Sequence, residues 1–203
     1  MSKVVIVDCS LGNLRSVQKA LEKVGADVLI SNREEDLLQA EALVLPGVGA
    51  FRDAAKNIIP LKSAIFEQVE SGKPLLGICL GLQLLFTEST EGGLYKGLAF
   101  LKGRVVRLPD GLKVPQIGWN TLRIIDVTNP LVQGLVDGEY VYFVHSYYAD
   151  AKDKENVVAL TEYGVDFPSI VANGNVFATQ FHPEKSGKIG LTILRNFLNY
   201  VRR

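Results

Sequence analysis

Residues 75–81 read LLGICLG, an apolar run that ends in a cysteine between two glycines. Residues 75–78 are apolar throughout, which is typical of a strand buried on both faces of a sheet. A helical pattern begins immediately after Cys79. The segment therefore predicts a buried parallel strand that turns sharply into a helix, the building unit of an α/β fold.

The same rhythm extends outward through the first half of the chain. Short β-branched or apolar runs lie at residues 4–7, 28–30 and 42–45, and a helical pattern lies near residues 13–24. A further helix is predicted between Pro60 and Gly72, with apolar positions on one face at Leu61, Ile65, Phe66 and Val69. These elements predict a three-layer α/β architecture, with helices on both faces of a mostly parallel central sheet.

The second half has a different pattern. From about Leu98 onward helical patterns are absent for some ninety residues, and strand-like segments occur at 105–108, 140–144, 157–160 and 176–181. This half is predicted to be mainly antiparallel hairpins. A last amphipathic helix carries its apolar residues on one face, at Ile189, Ile193, Leu194, Phe197, Leu198 and Val201. No linker or repeat divides the sequence, so we expect residues 1–203 to form a single domain.

Composition excludes several classes of function. The 203 residues carry 22 Lys plus Arg and 22 Asp plus Glu, so no global field attracts nucleic acid or an anionic membrane. Two cysteines are too few for a disulfide framework or a paired zinc site, which favours a reducing cytoplasm. The sequence contains no phosphate-binding loop, no dinucleotide fingerprint and no metal-ligand cluster. We therefore expect a cytoplasmic protein that needs no cofactor and no metal.

The strongest local signal for chemistry is Gly77-Ile78-Cys79-Leu80-Gly81, which has the form of a nucleophile elbow. A nucleophile at a strand-to-helix turn projects its side chain outward, and glycines on both sides let the backbones approach closely. The alternative is that Cys79 is a small buried hydrophobic residue and the glycines serve only helix packing.

A cysteine nucleophile needs a base, and His145 and His182 are the two histidines of the chain. His182 precedes Pro183, which favours extended backbone, and in an extended segment Glu184 would lie on the same side as His182. A Cys79, His182 and Glu184 triad is the hypothesis that follows. Alternatively, His182-Pro183 is a loop turn and Glu184 a solvated charge. His145 lies in a strand pattern with no acid two residues away, which favours a structural role.

Acyl transfer also requires donors for the developing oxyanion. The N–H of Leu80, directly after the nucleophile, is one candidate. A second is the Pro46-Gly47-Val48-Gly49 segment, which follows the strand at residues 42–45 and so lies at the same sheet edge. Gly47 and the peptide of Val48 are the residues concerned. The alternative is an ordinary Pro-Gly turn.

Taken together, the elbow and the His-Pro-Glu sequence resemble the triad of the class I glutamine amidotransferases, and the resemblance spans nearly the whole chain. It implies a flavodoxin-like three-layer fold with an antiparallel β part. Residues 13–16, 46–51, 115–120 and 182–186 are similar to one subgroup, the glutaminase subunits of imidazole glycerol phosphate synthases in histidine biosynthesis. The resemblance implies hydrolysis of glutamine and transfer of ammonia to a partner cyclase, a (β/α)₈ barrel, in a heterodimer.

The resemblance also implies roles for further residues. Gln83, Glu91, Ser146 and Tyr147 match positions that hold the glutamine substrate, and Asn13, Trp119 and Lys185 match the partner interface. Without it, Glu91 is compatible with a solvated charge and Trp119 with a core residue. Three other functions stay open: the glutaminase of another synthase, such as pyridoxal phosphate synthase, a stand-alone cysteine hydrolase, and a catalytically silent scaffold.

Overall fold

The computed structural model describes residues 3–10 and 12–203. Its α-helices are α1 (Leu14–Lys23), α2 (Glu34–Leu38), α3 (Phe51–Asn57), α4 (Lys62–Glu70), α5 (Leu80–Leu85) and α6 (Gly187–Val201). Its strands in the first half are β1 (Lys3–Val7), β2 (Asp27–Ser31), β3 (Ala42–Gly47), β4 (Leu75–Cys79), β5 (Phe86–Ser89) and β6 (Tyr95–Lys96). In the second half they are β7 (Leu101–Arg107), β8 (Gln116–Thr121), β9 (Arg123–Ile124), β10 (Tyr140–His145), β11 (Tyr147–Ala151), β12 (Val157–Glu162), β13 (Asp166–Asn173) and β14 (Val176–Thr179).

The central sheet has the strand order β2-β1-β3-β4-β14-β13-β12-β9. The strands from β2 to β14 pair in parallel, and those from β14 to β9 pair antiparallel. Strands β11-β7-β5-β6 form a second sheet, and β10-β8 form a two-stranded ribbon. The expected α/β fold, with a mostly parallel central sheet and an antiparallel β part, is confirmed.

Two apolar cores lie on opposite faces of the central sheet. In β1, Val5 and Val7 pack into one core with helices α2 to α5, while Val4 and Ile6 pack into the other with α1 and α6. The alternation follows from the two-residue period of a strand, whose successive side chains point to opposite faces. Because both faces are covered, the inner strands are apolar throughout, as the sequence predicts.

Three local details differ from the sequence predictions. Strand β2 alternates in burial, with Leu29 37% exposed, because it lies at the edge of the sheet and has only β1 as a neighbour. Pro60 lies in a short 3₁₀ turn before α4, which begins at Lys62. The segment at 176–181 is expected from the sequence to lie in the antiparallel part. Its strand β14 pairs antiparallel with β13 but also parallel with β4, and so joins the two parts of the central sheet.

The last helix and the elbow follow the predicted pattern closely. In α6, Ile193, Leu194, Phe197 and Leu198 are fully buried against the sheet. Cys79 ends β4 with φ 55° and ψ −106°, and α5 begins at the next residue. Within the described part of the chain, none of the helices has the length and apolar character needed to cross a bilayer.

The glycines beside Cys79 are required by close backbone contacts. A Cβ at Gly77 would lie 2.9 Å from the backbone of Gly81, and a Cβ at Gly81 would lie 1.7 Å from the carbonyl oxygen of Leu45. The absence of both side chains lets α5 pack directly on β3 and β4. The elbow therefore depends on glycine for steric reasons as well as for its turn.

We predict that Gly81→Ala lowers the free energy of unfolding by about 3 kcal/mol, because the new methyl group overlaps the Leu45 carbonyl and the backbone must move. Urea denaturation measures the change. Gly12→Ala is the control, since its Cβ would meet only a Val48 methyl group at 3.4 Å. Equal effects of the two substitutions would contradict this account of the elbow.

Candidate active site

The carboxyl ends of β3, β4 and β14 meet at one edge of the central sheet. In the β14–β4 pairing Thr179 lies opposite Ile78, and in the β3–β4 pairing Gly47 lies opposite Cys79. A cavity of about 220 Å³ opens at this edge. Its lining includes nine of the residues predicted for the site, namely Val48, Cys79, Leu80, Gln83, Glu91, Ser146, Tyr147, His182 and Lys185.

Cys79 has a backbone conformation that L-residues rarely adopt. A positive φ at a residue with a side chain costs about 1–3 kcal/mol, which the surrounding structure must supply. The side chain reaches the cavity although the residue is only 6% exposed. Its Sγ lies 3.7 Å from the carbonyl oxygen of Val144 and 3.8 Å from Nε2 of Gln180. The thiol is thus held between an acceptor and a donor.

His182 and Glu184 form a buried hydrogen-bonded pair. Nδ1 of His182 lies 2.8 Å from Oε1 of Glu184, and the two side chains are 2% and 0% exposed. With Nδ1 occupied, Nε2 is the ring nitrogen left for Cys79, which lines the same cavity as His182. The structure therefore brings the three residues of the predicted triad together across a wide separation in sequence.

The charges around His182 favour its protonated form. Burial by itself disfavours the charged ring, but hydrogen bonds and charges from Cys79 and Glu184 outweigh it and raise the pKa of His182 to about 9. At neutral pH the ring is therefore a cation, able to give its Nε2 proton to a leaving group.

The reason that Glu184 reaches His182 differs from the prediction. His182 itself is extended, with φ −96° and ψ 96°, but residues Pro183–Lys185 form a 3₁₀ turn rather than an extended segment. Proline restricts the residue before it, whereas its own φ is suited to the first position of a helical turn. The turn is closed by a hydrogen bond from Lys185 N–H to the His182 carbonyl, and it directs the Glu184 carboxylate back to the ring.

Asn13 lies beside this pair. Its Nδ2 donates a hydrogen bond to Oε1 of Glu184, the oxygen that also faces His182. Asn13 directly precedes α1 and has φ 74°. The other carboxylate oxygen, Oε2, is buried and has no hydrogen-bond partner among the residues described. Asn13, predicted for a partner interface, thus contacts the acid of the predicted triad.

His145 lies in the same cavity but is engaged on both sides of its ring. Nδ1 is 2.9 Å from the Tyr147 carbonyl oxygen and Nε2 is 2.8 Å from Oε1 of Gln116. Burial, opposed by the Tyr147 hydrogen bond, lowers the pKa of His145 to about 4, so the ring is neutral at physiological pH. Its contacts are those of a residue that fixes the end of β10.

The residues predicted for the oxyanion site line the edge next to Cys79. Leu80 is the first residue of α5, and Val48 and Gly49 border the cavity after β3. A Cβ at Gly47 would lie 3.1 Å from Cβ of Leu80, so a side chain at this position would crowd the start of α5. Gly49 has φ 110°, a conformation open to glycine and strained for other residues.

The residues predicted to hold substrate form ordered contacts around the cavity. Gln83 donates from Nε2 to the Tyr147 carbonyl at 2.9 Å and to Oε1 of Gln180 at 3.3 Å. The Glu91 carboxylate is not simply solvated, because it accepts the backbone N–H of Phe51 at 2.9 Å and so ties its loop to the start of α3. Ser146 lies between β10 and β11, where its carbonyl accepts the N–H of Leu108.

An apolar and cationic surface lies beside the cavity on the β8–β10 ribbon. Trp119 is 55% exposed rather than a core residue, and its ring meets that of Tyr142 edge-on with centroids 5.8 Å apart. Nζ of Lys185 lies 6.0 Å from the centroid of the same Tyr142 ring. Ile117 and Tyr140 are also largely exposed on this ribbon. We call Ile117, Trp119, Tyr140, Tyr142 and Lys185 the ribbon surface.

Sequence reasoning missed Gln180, which contacts both Cys79 and Gln83 and is fully buried. The available signal was a large uncharged polar residue inside the strand-like segment at 176–181, two positions before His182. In residues 3–10 and 12–203, no group of three His, Cys, Asp or Glu side chains is placed to hold a metal ion.

Comparison with known proteins places this geometry in a family. The model of the family "Glutamine amidotransferase class-I" matches residues 5–200. The chain is 57% identical over 201 residues to the imidazole glycerol phosphate synthase subunit HisH of Methanosarcina acetivorans, with 98% of each protein covered. It is 52% identical to the HisH subunit of Caldanaerobacter subterraneus subsp. tengcongensis, with 97% of this chain and 98% of that protein covered.

Solved structures agree in fold. A crystal structure of a glutamine amidotransferase matches with a TM-score of 0.77 at 24% identity, over 98% of this chain and 99% of that one. The structure of PurLQS from Thermotoga maritima matches with a TM-score of 0.76 at 24% identity and the same coverage. The family model spans nearly the whole sequence, and relatives are more than half identical to this chain. The chain therefore belongs to the class I glutamine amidotransferases.

Proposed function

We propose that this protein is the glutaminase subunit of an imidazole glycerol phosphate synthase. It would hydrolyse glutamine to glutamate and ammonia with Cys79, His182 and Glu184, and pass the ammonia to a cyclase subunit for histidine biosynthesis. The observation that carries the proposal is the elbow cysteine facing a histidine whose other nitrogen is held by a buried carboxylate. The sequence identity to HisH subunits supports imidazole glycerol phosphate synthase as the synthase concerned.

In the first half of the reaction, the Cys79 thiolate attacks the side-chain carbonyl carbon of glutamine. The carbonyl electron pair moves to oxygen. The resulting oxyanion accepts hydrogen bonds from the backbone N–H groups of Leu80 and of the segment of Gly47 and Val48. When the carbonyl re-forms, the C–N bond breaks and Nε2 of His182 gives its proton to the leaving amine. Ammonia and a glutamyl thioester on Cys79 are the products.

In the second half, His182 acts as a base. Its neutral Nε2 takes a proton from water, the water oxygen attacks the thioester, and the C–S bond breaks to release glutamate and regenerate the thiolate. Glu184 accepts a hydrogen bond from the Nδ1–H of His182 throughout and keeps Nε2 directed at the reacting atoms. Asn13, which shares the Glu184 oxygen, holds the carboxylate in place.

Substrate would be held by polar residues that line the same cavity as Cys79. Gln83, Glu91, Ser146 and Tyr147 supply polar groups that suit the charged amino and carboxylate groups of an amino acid. A volume of about 220 Å³ suits a molecule of this size. Because these residues lie around the cavity in which Cys79 ends, they can position the side-chain amide at the sulfur.

The ribbon surface is the proposed contact with a (β/α)₈-barrel cyclase in a heterodimer. Its exposed Trp119 and Tyr140 are of the residue types that most often carry the binding energy of an interface. Lys185 belongs both to this surface and to the cavity lining, so the partner would cover the outlet for ammonia. We further propose that residues 1–203 act as one glutaminase domain in the cytoplasm, where two free cysteines stay reduced.

We predict that Cys79→Ala in the reconstituted complex abolishes glutamine-dependent synthesis, by more than about 10³-fold, and leaves synthesis from ammonium salts intact. The nucleophile produces ammonia and takes no part in its use. His182→Ala should be equally damaging, and Glu184→Ala less so, because an orienting acid contributes less than the group that moves the proton. Steady-state assays with each nitrogen source measure both activities.

Cys9→Ala is the matched control, since Cys9 is also buried but lies away from the cavity. Loss of the ammonium-dependent reaction in Cys79→Ala would contradict the proposed division of labour. Loss of glutamine turnover in Cys9→Ala but not in Cys79→Ala would contradict the choice of nucleophile.

We also predict that Trp119→Ala and Lys185→Ala each weaken binding of the cyclase by about tenfold or more, as expected for anchors of an interface. Calorimetric titration with the cyclase gives the affinities, and alkylation of Cys79 reports that the site itself is intact. Val127→Ala and Lys188→Ala are controls at exposed positions outside the ribbon surface. Unchanged affinity in both test variants would rule out this surface as the interface.

A further inference from the structure

Gln180 is fully buried and has its side-chain amide between two residues of the site. It follows β14 directly, and its backbone N–H donates to the Ser169 carbonyl at 2.9 Å. Its Oε1 accepts a hydrogen bond from Nε2 of Gln83 at 3.3 Å, and its Nε2 lies 3.8 Å from Sγ of Cys79. Burying an amide is costly unless both of its ends are paired, and here both are.

The orientation of this amide is determined by a chain of contacts that begins at the backbone. The Tyr147 carbonyl can only accept, so the Gln83 amide must turn its NH₂ group toward it. The same NH₂ group meets the Gln180 side chain, which therefore presents its oxygen there. The NH₂ group of Gln180 is consequently directed at the sulfur of Cys79.

The two partners of the sulfur respond differently to its ionisation. A neutral thiol can donate its proton to the Val144 carbonyl, which lies 3.7 Å away. A thiolate has no proton to donate, and the negative end of the carbonyl dipole then repels it. An N–H donor becomes a stronger partner when the acceptor is charged, so the Gln180 contact favours the thiolate.

We propose that Gln180 is a further catalytic residue, which donates an N–H to the Cys79 thiolate and is held in that orientation by Gln83 and the Tyr147 carbonyl. The contact stabilises the reactive form of the nucleophile before attack and again after the thioester is hydrolysed. His182 supports the same form, because its raised pKa makes it a cation in the cavity that Cys79 lines. The proposal rests on the proposed function for its place in glutamine hydrolysis, while the contact itself concerns only the thiol.

The test compares Gln180→Met, which keeps the length of the side chain without a donor, with Gln180→Glu, which places a carboxylate against the sulfur. In a Cys9→Ala background, the rate of Cys79 alkylation by iodoacetamide is followed against pH. We expect the pH of half-maximal reactivity to rise by about one unit in Gln180→Met, a tenfold loss of thiolate at a given pH, and further in Gln180→Glu. The kcat/KM for glutamine in the complex should fall by about tenfold in Gln180→Met.

Other charged groups near Cys79 also shape such a profile. The charged ones are His182 and Glu184 around the turn, Glu91 after β5 and Lys185 in the cavity lining, and His145 on β10 is titratable but neutral at physiological pH. All of them remain in every variant compared, so the change between variants isolates Gln180. Gln68→Met is the matched control, since it removes another buried amide, which is bonded to the Leu38 carbonyl of α2 and does not line the cavity.

A second measurement uses the unsubstituted chain and does not depend on a variant that folds. In the NMR spectrum, the chemical shifts of the Gln180 side-chain NH₂ group should change with pH at the same midpoint as the rate of Cys79 alkylation. They should change again when Cys79 is alkylated. Signals that stay fixed in both experiments would overturn the proposal, as would an alkylation profile unchanged in Gln180→Met. A protein with the expected thiol behaviour but no glutamine hydrolysis in the complex would instead refute the proposed function.

Discussion

The parallel pairing of β14 with β4 is the contact on which the site depends. It joins a strand near the end of the chain to the strand that carries Cys79, with Thr179 opposite Ile78. Parallel neighbours end at the same sheet edge, so the residues that follow β14 emerge beside the elbow. A shift of one residue in this register would turn the side chains of β14 to the opposite face and carry Gln180 and His182 away from the sulfur.

The site contains strained and buried groups that are unfavourable by themselves, and the packing around them stabilises the fold enough to keep them in place. Cys79 has a strained backbone, and the His182–Glu184 pair is almost fully removed from water. Such groups are tolerated when rigid neighbours leave them no alternative, and here fully buried strands on both sides of β4 supply that rigidity. Burial alone would lower the pKa of His182, but the hydrogen bonds and charges of Cys79 and Glu184 outweigh it, so the pKa stays raised and the imidazolium persists at neutral pH.

The sequence was sufficient for the parts of the fold that are determined locally. Apolar runs, helix periodicity and the glycine-flanked cysteine predict the central strands, the last helix and the elbow. The position of β14 in the central sheet could not be predicted, because a short apolar strand pairs equally well with a hairpin neighbour or a distant parallel strand. The turn at Pro183–Lys185 and the contacts of Gln180 likewise depend on neighbours brought together only by that pairing.

The candidate residues divide in the same way. Cys79, His182 and Glu184 could be proposed from their own sequence contexts, whereas the roles of Glu91 and Trp119 were open from local sequence. The Glu91 carboxylate bonds to the start of α3. Trp119 is exposed on β8, where it pairs with Tyr142 of β10. Both outcomes are set by tertiary placement, on which the composition of a loop or a short strand carries little information.

The central claim is that Cys79 is the nucleophile of a site shaped for glutamine. The most direct test is reaction of the protein, in complex with its cyclase, with a diazo-ketone analogue of glutamine, followed by mass spectrometry of its peptides. We expect one adduct per chain, on Cys79, because Cys9 is shielded by packing that raises its pKa to about 12 and keeps its thiol protonated. An adduct on Cys9, or a chain left unmodified, would contradict the account.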